Sequence, residues 1–493
     1  YNSLGHLVKK IDPLDNETIY VYNNMGMLIR KEGSGGNITE YIFDVLGRVE
    51  LEKLYKNGES QFIYKSYTYD DIGNVLKFKN GTVVNGDDTV SSEVEYVYDS
   101  MNRMTDEYKK IDETRKGHIH YNYDNLGNVL QYTEAVNQSG SSHIQTNYEY
   151  DFAGKQTREE GCLQYANDVR QGYYETKYTY DYNGNPLSKE VFDDDKYYIT
   201  EYTYDHRNRV KQKKEPYKDA ESKKITTYTY DGKGNVIGEV LMKQGTACSK
   251  TYEYDGTGNL IRETDETDKT TRYVYDENGN RIKEIDPRYY TDESKIDTAP
   301  CIETEYDALN RPVRSIARNG DTSFVISYFE YDSRGNIIKK VDSEGYNGSN
   351  PSASIGEEYE YDVMNRVIRH VSAETARYNT ENESDRFTKK YTYDGAGNIL
   401  TEEDAYGNIT RNTYLLNGLL KDKVYPDGAK ETYSYDLTGK VELVFTDRAG
   451  NVTKKYMNVF GSPYRQEYPD GTSESFEYNN LGKVTRSIDR MGN

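Results

Sequence analysis

The chain has 493 residues, 63 Lys and Arg against 84 Asp and Glu, a net charge of −21, and 34% hydrophobic residues. The charge has the wrong sign for a nucleic-acid binder, which presents a basic face, and no apolar run is long enough for a membrane-spanning helix. Aromatic residues make up 13% of the chain, which excludes a typical disordered composition.

The aromatics are almost all tyrosine: 53, against 11 phenylalanines and no tryptophan. They recur in a unit that reads Tyr-x-Tyr-Asp-x-x-Gly followed by Asn or Arg. Counted on the residue four before the turn glycine, the anchors are Tyr1, Tyr22, Phe43, Tyr69, Tyr98, Tyr123, Tyr150, Tyr180, Tyr204 and Tyr230. They continue as Tyr254, Tyr275, Tyr306, Tyr331, Tyr361, Tyr393, Tyr414, Tyr435, Met457 and Tyr478. That makes 20 units, spaced by 21 to 32 residues. Repetition at such a period describes an array rather than separate domains. We therefore expect residues 1–493 to form a single array, cut within repeats at both ends from a larger polypeptide.

Each unit opens with a strand that carries two aromatics two residues apart: Tyr67/Tyr69, Tyr96/Tyr98, Tyr121/Tyr123, Tyr148/Tyr150, Tyr178/Tyr180 and Tyr202/Tyr204. The pattern persists in Tyr228/Tyr230, Tyr252/Tyr254, Tyr273/Tyr275, Tyr359/Tyr361, Tyr391/Tyr393 and Tyr433/Tyr435. A period of two places both rings on one face. A phenol in place of a phenyl ring suits a ring edge that is wet or reaches a polar backbone group.

A turn follows, with an aspartate whose carboxylate accepts nearby backbone N–H groups and a glycine that supplies positive φ. These turn residues are Asp70/Gly73, Asp124/Gly127, Asp181/Gly184, Asp231/Gly234, Asp255/Gly258, Asp276/Gly279, Asp332/Gly335, Asp394/Gly397 and Asp436/Gly439. Asn102, Asn208, Asn310 and Asn365 stand in for the glycine, as the non-glycine residue that best tolerates the left-handed region. The residue two after the turn glycine is apolar (Leu28, Val75, Val129, Val236, Leu260, Ile337, Ile399, Val441, Val484) and is expected on a buried face. Second turns read Asp404 to Asn408, Asp447 to Asn451, Pro426-Asp427-Gly428 and Pro469-Asp470-Gly471. Asn57-Gly58, Asn80-Gly81 and Asn347-Gly348 are expected to mark hairpin tips.

No convincing helix is present, beyond a weak helical pattern over 372–384. Twenty units of two strands predict about 40 strands, and at ~4.8 Å per strand a single ladder would run ~190 Å. Strand twist does not allow a flat sheet of that width. The predicted fold class is all-β: repetitive antiparallel hairpins in one continuous coiling sheet.

Copies that show the signature in full include Tyr123-Asp124-Asn125-Leu126-Gly127-Asn128, Tyr254-Asp255-Gly256-Thr257-Gly258-Asn259 and Tyr275-Asp276-Glu277-Asn278-Gly279-Asn280. On these residues the chain resembles the YD-repeat proteins, also called the Rhs family, over essentially its whole length. The resemblance implies a spiralling β-shell that encapsulates a C-terminal toxin or effector domain lying outside these residues, with no catalysis of its own. It implies cargo and other shell parts as partners, and a secreted or cell-surface location in a bacterium. Relatives include the encapsulating component of insecticidal toxin complexes, polymorphic toxins and the wall-associated protein of Gram-positive bacteria. The composition fits a low-GC Gram-positive source. Animal teneurins carry a similar barrel and use it in adhesion, so an extracellular module binding a glycan or receptor, with an aromatic patch on insertions 159–175 and 283–302, is the alternative. Family shells close on an Asp-Pro-x-Gly motif. Asp12-Pro13-Leu14-Asp15 and Asp286-Pro287-Arg288-Tyr289 share two of its residues and are read as turns.

No catalytic, metal or cofactor site is expected. An aspartate that recurs in every unit is a turn acceptor rather than one constellation of acid and base. Cys162, Cys248 and Cys301 are far apart and read as isolated thiols. His118 and His120 share a strand face, and with no third ligand near them in the sequence they read as surface histidines.

Overall fold

The computed structural model describes residues 1–166, 169–171, 174–193, 196–217, 219–319, 323–374, 388–458, 461–479 and 483–493. They form one sheet of 40 strands. Each strand pairs with the next in the chain, and every pairing is antiparallel, from Lys9–Ile11 on Glu17–Tyr22 to Ser473–Tyr478 on Val484–Ile488. The one departure is Val169–Gln171, a short strand folded back on the end of Gln156–Ala166, so that Gln156–Ala166 also pairs with Tyr174–Tyr180. The predicted strand number holds through a compensation. The first unit lacks its opening strand, and this short strand replaces it in the count.

The Asp-x-x-Gly hairpins share one irregularity. Thr68 opposes Lys77 but Tyr69 opposes Val75, which leaves Leu76 as the extra residue of a β-bulge. The same shift falls at Tyr98, Tyr123, Tyr254 and Tyr393. The bulge explains why two consecutive residues after the turn are apolar. Val75 keeps to the tyrosine face and is half-buried, whereas Leu76 and Ile237 turn to the other face and are exposed. Val484, in the last strand, is exposed rather than buried. The hairpin at Tyr435 has no bulge: Tyr435 opposes Leu443, and Asp436 Oδ2 accepts the amides of Val441 and Glu442.

Two other expectations are corrected. Asn80-Gly81 is not a hairpin tip. It lies inside the strand Val75–Val84 at a bulge, and the chain reverses at Asn85-Gly86, both with positive φ. Asn347-Gly348 sits in the loop between Ile337–Val341 and Glu357–Tyr361 rather than at the tip of a paired hairpin. Helical geometry among the described residues amounts to the short 3-10 turns Glu293–Lys295 and Pro351–Ala353 with one turn at 373–374. Residues 375–387, which hold most of the weak helical pattern, lie outside the described residues.

The sheet coils until its two rims meet. Among the described residues, the turns after the anchor tyrosines lie along one rim and the second turns along the other, because the strands alternate in direction. Ser333 Oγ, on a late Asp-x-x-Gly turn, donates to the carbonyl of Ser34, on an early second turn 299 residues away. Further along, the Gly395 amide donates to Ser91 Oγ across 304 residues, Leu416 N to Ile111 O, and Leu437 N to Val136 O. The near-constant offset is the signature of a helical coil whose second turn sits rim-on-rim on the first. The core follows the coil: Ile111, Leu415 and Leu437 form a buried cluster in this seam.

Candidate functional site: the wall, its seam and a histidine cluster

The wall is built from one joint repeated along the rim. In the turn after Tyr123, Asp124 Oδ1 accepts the amides of Leu126 at 2.9 Å and Asn128 at 2.8 Å, and Oδ2 takes the Asn128 side chain at 2.8 Å. The hydrogen bonds from Asn128 outweigh burial and lower the Asp124 carboxyl below its ordinary range. Asp70, Asp181, Asp231, Asp255, Asp276, Asp332 and Asp394 make the same two backbone contacts.

The turn glycines shape the rim and hold no ligand group. Gly73, Gly127, Gly184, Gly234, Gly258, Gly279, Gly335, Gly397 and Gly439 take positive φ, from 73° at Gly439 to 107° at Gly234. At Gly73, Gly234, Gly335 and Gly397 an added side-chain carbon would meet nothing within 4 Å. Conformation rather than space therefore selects glycine there. Gly184 and Gly439 are crowded as well, by the side chains of Lys155 and Leu419. The uniform turn expected from the sequence is corrected at Gly439. Gly73, Gly184, Gly234, Gly335 and Gly397 donate their amides to the backbone carbonyl of the turn aspartate. Gly73 and Gly234 also donate to Oδ1 of that aspartate, and Gly439 donates to Asp436 Oδ1. What sets the Gly439 turn apart is the missing bulge, with Asp436 Oδ2 capping the amides of Val441 and Glu442.

The anchor hydroxyl joins each unit to the one before it. Tyr123 Oη donates to Met104 O at 2.6 Å, Tyr69 to Val49 O at 2.7 Å, Tyr254 to Val236 O at 3.0 Å and Tyr393 to Val367 O at 2.7 Å. The acceptor always lies two residues past the preceding turn. Tyr98, Tyr150, Tyr180, Tyr204, Tyr230, Tyr275, Tyr306, Tyr331, Tyr361, Tyr414 and Tyr478 repeat the bond.

The Asn-or-Arg alternation, which the sequence shows without explaining, is a second joint. Arg103 binds its own Asp99 Oδ2 through Nε at 2.7 Å and reaches forward to Asp124 O at 2.6 Å. Its guanidinium lies 4.7 Å from the Tyr123 ring centroid. Arg48, Arg209, Arg311 and Arg366 do the same to Tyr69, Tyr230, Tyr331 and Tyr393. The asparagines in place of glycine do more than tolerate positive φ. Asn208, Asn310 and Asn365 each accept from the Asn of the preceding unit at 3.0, 2.9 and 3.0 Å.

The first tyrosine of each pair meets a partner directly across the ladder. Tyr96 opposes Glu107, Tyr148 Glu159, Tyr228 Glu239, Tyr252 Glu263, Tyr273 Glu284 and Tyr391 Glu402. These glutamates sit five residues past the turn glycine or asparagine, a spacing visible in the sequence and not singled out there. Burial, then the facing carboxylates, push the phenols of Tyr96, Tyr228 and Tyr252 up, and Tyr178, which opposes Lys189, is raised by burial and then by Glu159 of the neighbouring strand. Tyr433, half-buried and bonded to Glu431, is pushed up to about 12 by burial and then by that carboxylate.

The seam divides the rim into two classes. On the first coil turn the residues after the turn aspartate are exposed, including Val45, Ile72, Leu126, Phe152 and Tyr182. On the second, Ser333, Val363, Gly395, Leu416 and Leu437 are covered or half-covered by the opposite rim. Leu415 occupies the place of a turn aspartate and is buried. That exchange was the sequence signal for a rim that leaves water. A cavity of about 940 Å³ spans the seam, lined by Tyr55, Phe62 and Val90 from one rim and Arg366, Tyr393 and Leu416 from the other.

Among the described residues, one cluster could hold a metal. His120 opposes Asp106 and His118 opposes Tyr108 in the ladder. Asp106 Oδ1 lies 2.8 Å from His118 Nε2 and 2.8 Å from His120 Nδ1. Burial raises the Asp106 carboxyl, but its contacts with the His118 and His120 rings outweigh it and hold the group below its ordinary value. The sequence did not bring a third candidate group near these histidines; the ladder places Asp106 of the neighbouring strand beside both. Cys248 and Cys301 are unpaired, and burial raises the Cys301 thiol. The side chain of Cys162 lies outside the described residues.

With this geometry in place, the comparisons are informative. A family model described as Teneurin YD-shell matches residues 72–289. The fold is similar to the crystal structure of TcdB2-TccC3 without its hypervariable C-terminal region, with a TM-score of 0.52 and 12% identity, covering 100% of this chain and 28% of that one. It is also similar to the crystal structure of TcdB2-TccC3-TEV, with a TM-score of 0.50 and 12% identity, covering 96% of this chain and 32% of that one. The chain thus spans about a third of the length of the structures it matches. No curated protein matches it in sequence.

Proposed function

Since a Teneurin YD-shell family model matches residues 72–289 and the fold is similar to the TcdB2-TccC3 structures, we propose that this chain is a YD/Rhs-repeat protein, a wall segment of a hollow shell whose cargo is a toxin or effector domain of the same polypeptide. The observation that carries this is the seam. A strip whose two rims bond to each other at a near-constant offset encloses space. About two dozen strands per coil turn at ~4.8 Å give a circumference of ~110 Å and a bore of ~35 Å between backbones. That width accommodates an extended or partly folded chain. One of the similar structures is described as lacking a hypervariable C-terminal region. A constant wall beside a variable C-terminal segment suits a container with interchangeable cargo.

The wall itself performs no turnover in this proposal, because the recurring aspartates are each committed to a turn. It is secreted or displayed on the cell surface. Its other partners are further parts of the shell. The exposed apolar rim at Val45, Ile72, Leu126, Phe152 and Tyr182 corresponds to positions that the second coil turn buries, so another stretch of wall fits on it. An adhesion module would present an aromatic patch on insertion 283–302. Tyr289 and Tyr290 pack instead against Ile285, Ala299 and Cys301. Much of insertion 159–175 lies outside the described residues.

Two experiments test the proposal. Electron microscopy of the isolated chain is expected to show an open ring or spiral with a central channel, and a solid rod would refute the container. In the full-length polypeptide, the C-terminal segment is expected to resist protease until the wall is opened. Ready cleavage of that segment with the wall intact would sink the cargo assignment.

A further inference from the structure

We propose that Asp106, His118 and His120 form a binding site for a late first-row divalent cation, with Zn²⁺ as the fitting ion, pinning two neighbouring repeat units together on the sheet face opposite the tyrosines. The three side chains come from the adjacent strands Met104–Lys110 and Lys116–Tyr123. Their donor atoms, one carboxylate oxygen and two imidazole nitrogens, all lie within 4.8 Å of one another. Imidazole with carboxylate suits zinc, copper or nickel better than calcium or magnesium. Zinc bonds nitrogen and oxygen at about 2.0–2.2 Å, which sets tetrahedral ligand atoms about 3.3 Å apart. From the observed 2.8 Å contacts the site opens by about half an ångström to admit the ion. The histidine side chains are 37% and 39% exposed, so their rotamers can yield and a fourth position faces water.

The hydrogen-bond pattern around His120 argues independently for a cation. Its Nδ1 faces Asp106 Oδ1, and its Nε2 faces Asn122 Oδ1 at 3.1 Å. Both partners are acceptors, while a neutral imidazole carries one N–H and one lone pair. The Asn122 orientation is held by a run of amides: Asn122 Nδ2 donates to Gln131 Oε1, and Gln131 Nε2 donates to Asn147 Oδ1, which also accepts from Gln145. Turning Asn122 over would require turning the whole run. With Nε2–H given to Asn122, the Nδ1 lone pair points at a carboxylate, an arrangement that a metal between them resolves. Asn122 then plays the outer part commonly seen behind a metal-bound histidine. Tyr108 stacks on His118 at 4.5 Å and 4°, fixing the second ring.

The test uses the metal-stripped chain titrated with ZnCl₂ by calorimetry, with Co²⁺ absorption reporting coordination and far-UV circular dichroism confirming the fold of each variant. One Zn²⁺ is expected to bind at this site, with binding lost in His120→Ala and in the gentler His118→Gln. Asn122→Ala is expected to weaken it about tenfold or more. Absence of saturable binding, or binding that survives the combined His118→Ala and His120→Ala changes, would overturn the site. So would an NMR spectrum in which His120 is doubly protonated at neutral pH and unmoved by Zn²⁺, because an imidazolium–carboxylate pair would then account for the geometry.

Discussion

The hydroxyl of Tyr123 donates to the carbonyl oxygen of Met104 at 2.6 Å, across the boundary between one repeat unit and the next. This bond makes tyrosine, rather than phenylalanine, the repeating aromatic. Tyr123→Phe keeps the ring and its contact with Arg103 but leaves the carbonyl without this donor. We expect a loss of about 1 kcal/mol, read as a lower urea midpoint with an unchanged circular dichroism spectrum. Phe43 already occupies one anchor position, so the ring alone is sterically tolerated.

Arg366 joins three groups: Asp362 Oδ2 of its own turn, Asp394 O of the next, and the face of Tyr393 at 4.6 Å. Lysine cannot hold all three, since it lacks the planar fork. Arg366→Lys is therefore expected to cost about 1–2 kcal/mol, close to the cost of Arg366→Ala, by the same denaturation measurement. A lysine variant as stable as the parent would show that charge alone matters there.

The turn aspartates set the response to acid. Asp205 is lowered to about 2 by the Arg209 side chain, aided by the backbone amides of Arg209 and Arg207 and opposed by burial. A carboxyl depressed on folding contributes stability that is present above its unfolded value near 3.9 and lost as pH falls through the folded value. The array is expected to lose stability between about pH 4 and pH 2, where Asp205 and its equivalents take up protons. Asp205→Asn should be less stable at neutral pH and should flatten this part of the pH profile. An unchanged profile would exclude Asp205 from acid unfolding.

Gly395 tests the seam. A side-chain carbon at this position would lie 2.6 Å from the carbonyl oxygen of Gly81 and 2.7 Å from its carbonyl carbon, on the opposite rim. Backbone atoms cannot move aside as a flexible side chain would. Gly395→Val is expected to part the rims and enlarge the radius of gyration in small-angle scattering, with strand content preserved. Gly256, with nothing within 4 Å of an added carbon, is the matched control, and Gly256→Ala should leave the scattering profile unchanged.

The cluster at His120 shows where the reading of the sequence stopped. Spacing two apart on a strand placed His118 and His120 on one face, but Asp106 came to them only through ladder register. The arginines were visible as a variant of the asparagine after the turn. Their hold on the next unit's tyrosine was not, because that contact depends on how closely units stack. The turn at Gly439 reads like its neighbours in sequence, and only the pairing of Tyr435 with Leu443 set it apart.

By itself the sequence determined much of what lies within reach of about one unit: the strand pairs, most of the Asp-x-x-Gly reversals, the face that carries the tyrosines and the all-β class. These follow from local steric preference and side-chain period, which neighbouring residues settle among themselves. Only the tertiary structure decided that the ladder returns on itself, that Ser34 meets Ser333, and that Ile111, Leu415 and Leu437 become the core. Closure sums a small twist over about two dozen strands. No residue encodes that sum alone, so the seam became legible only once the coil was complete.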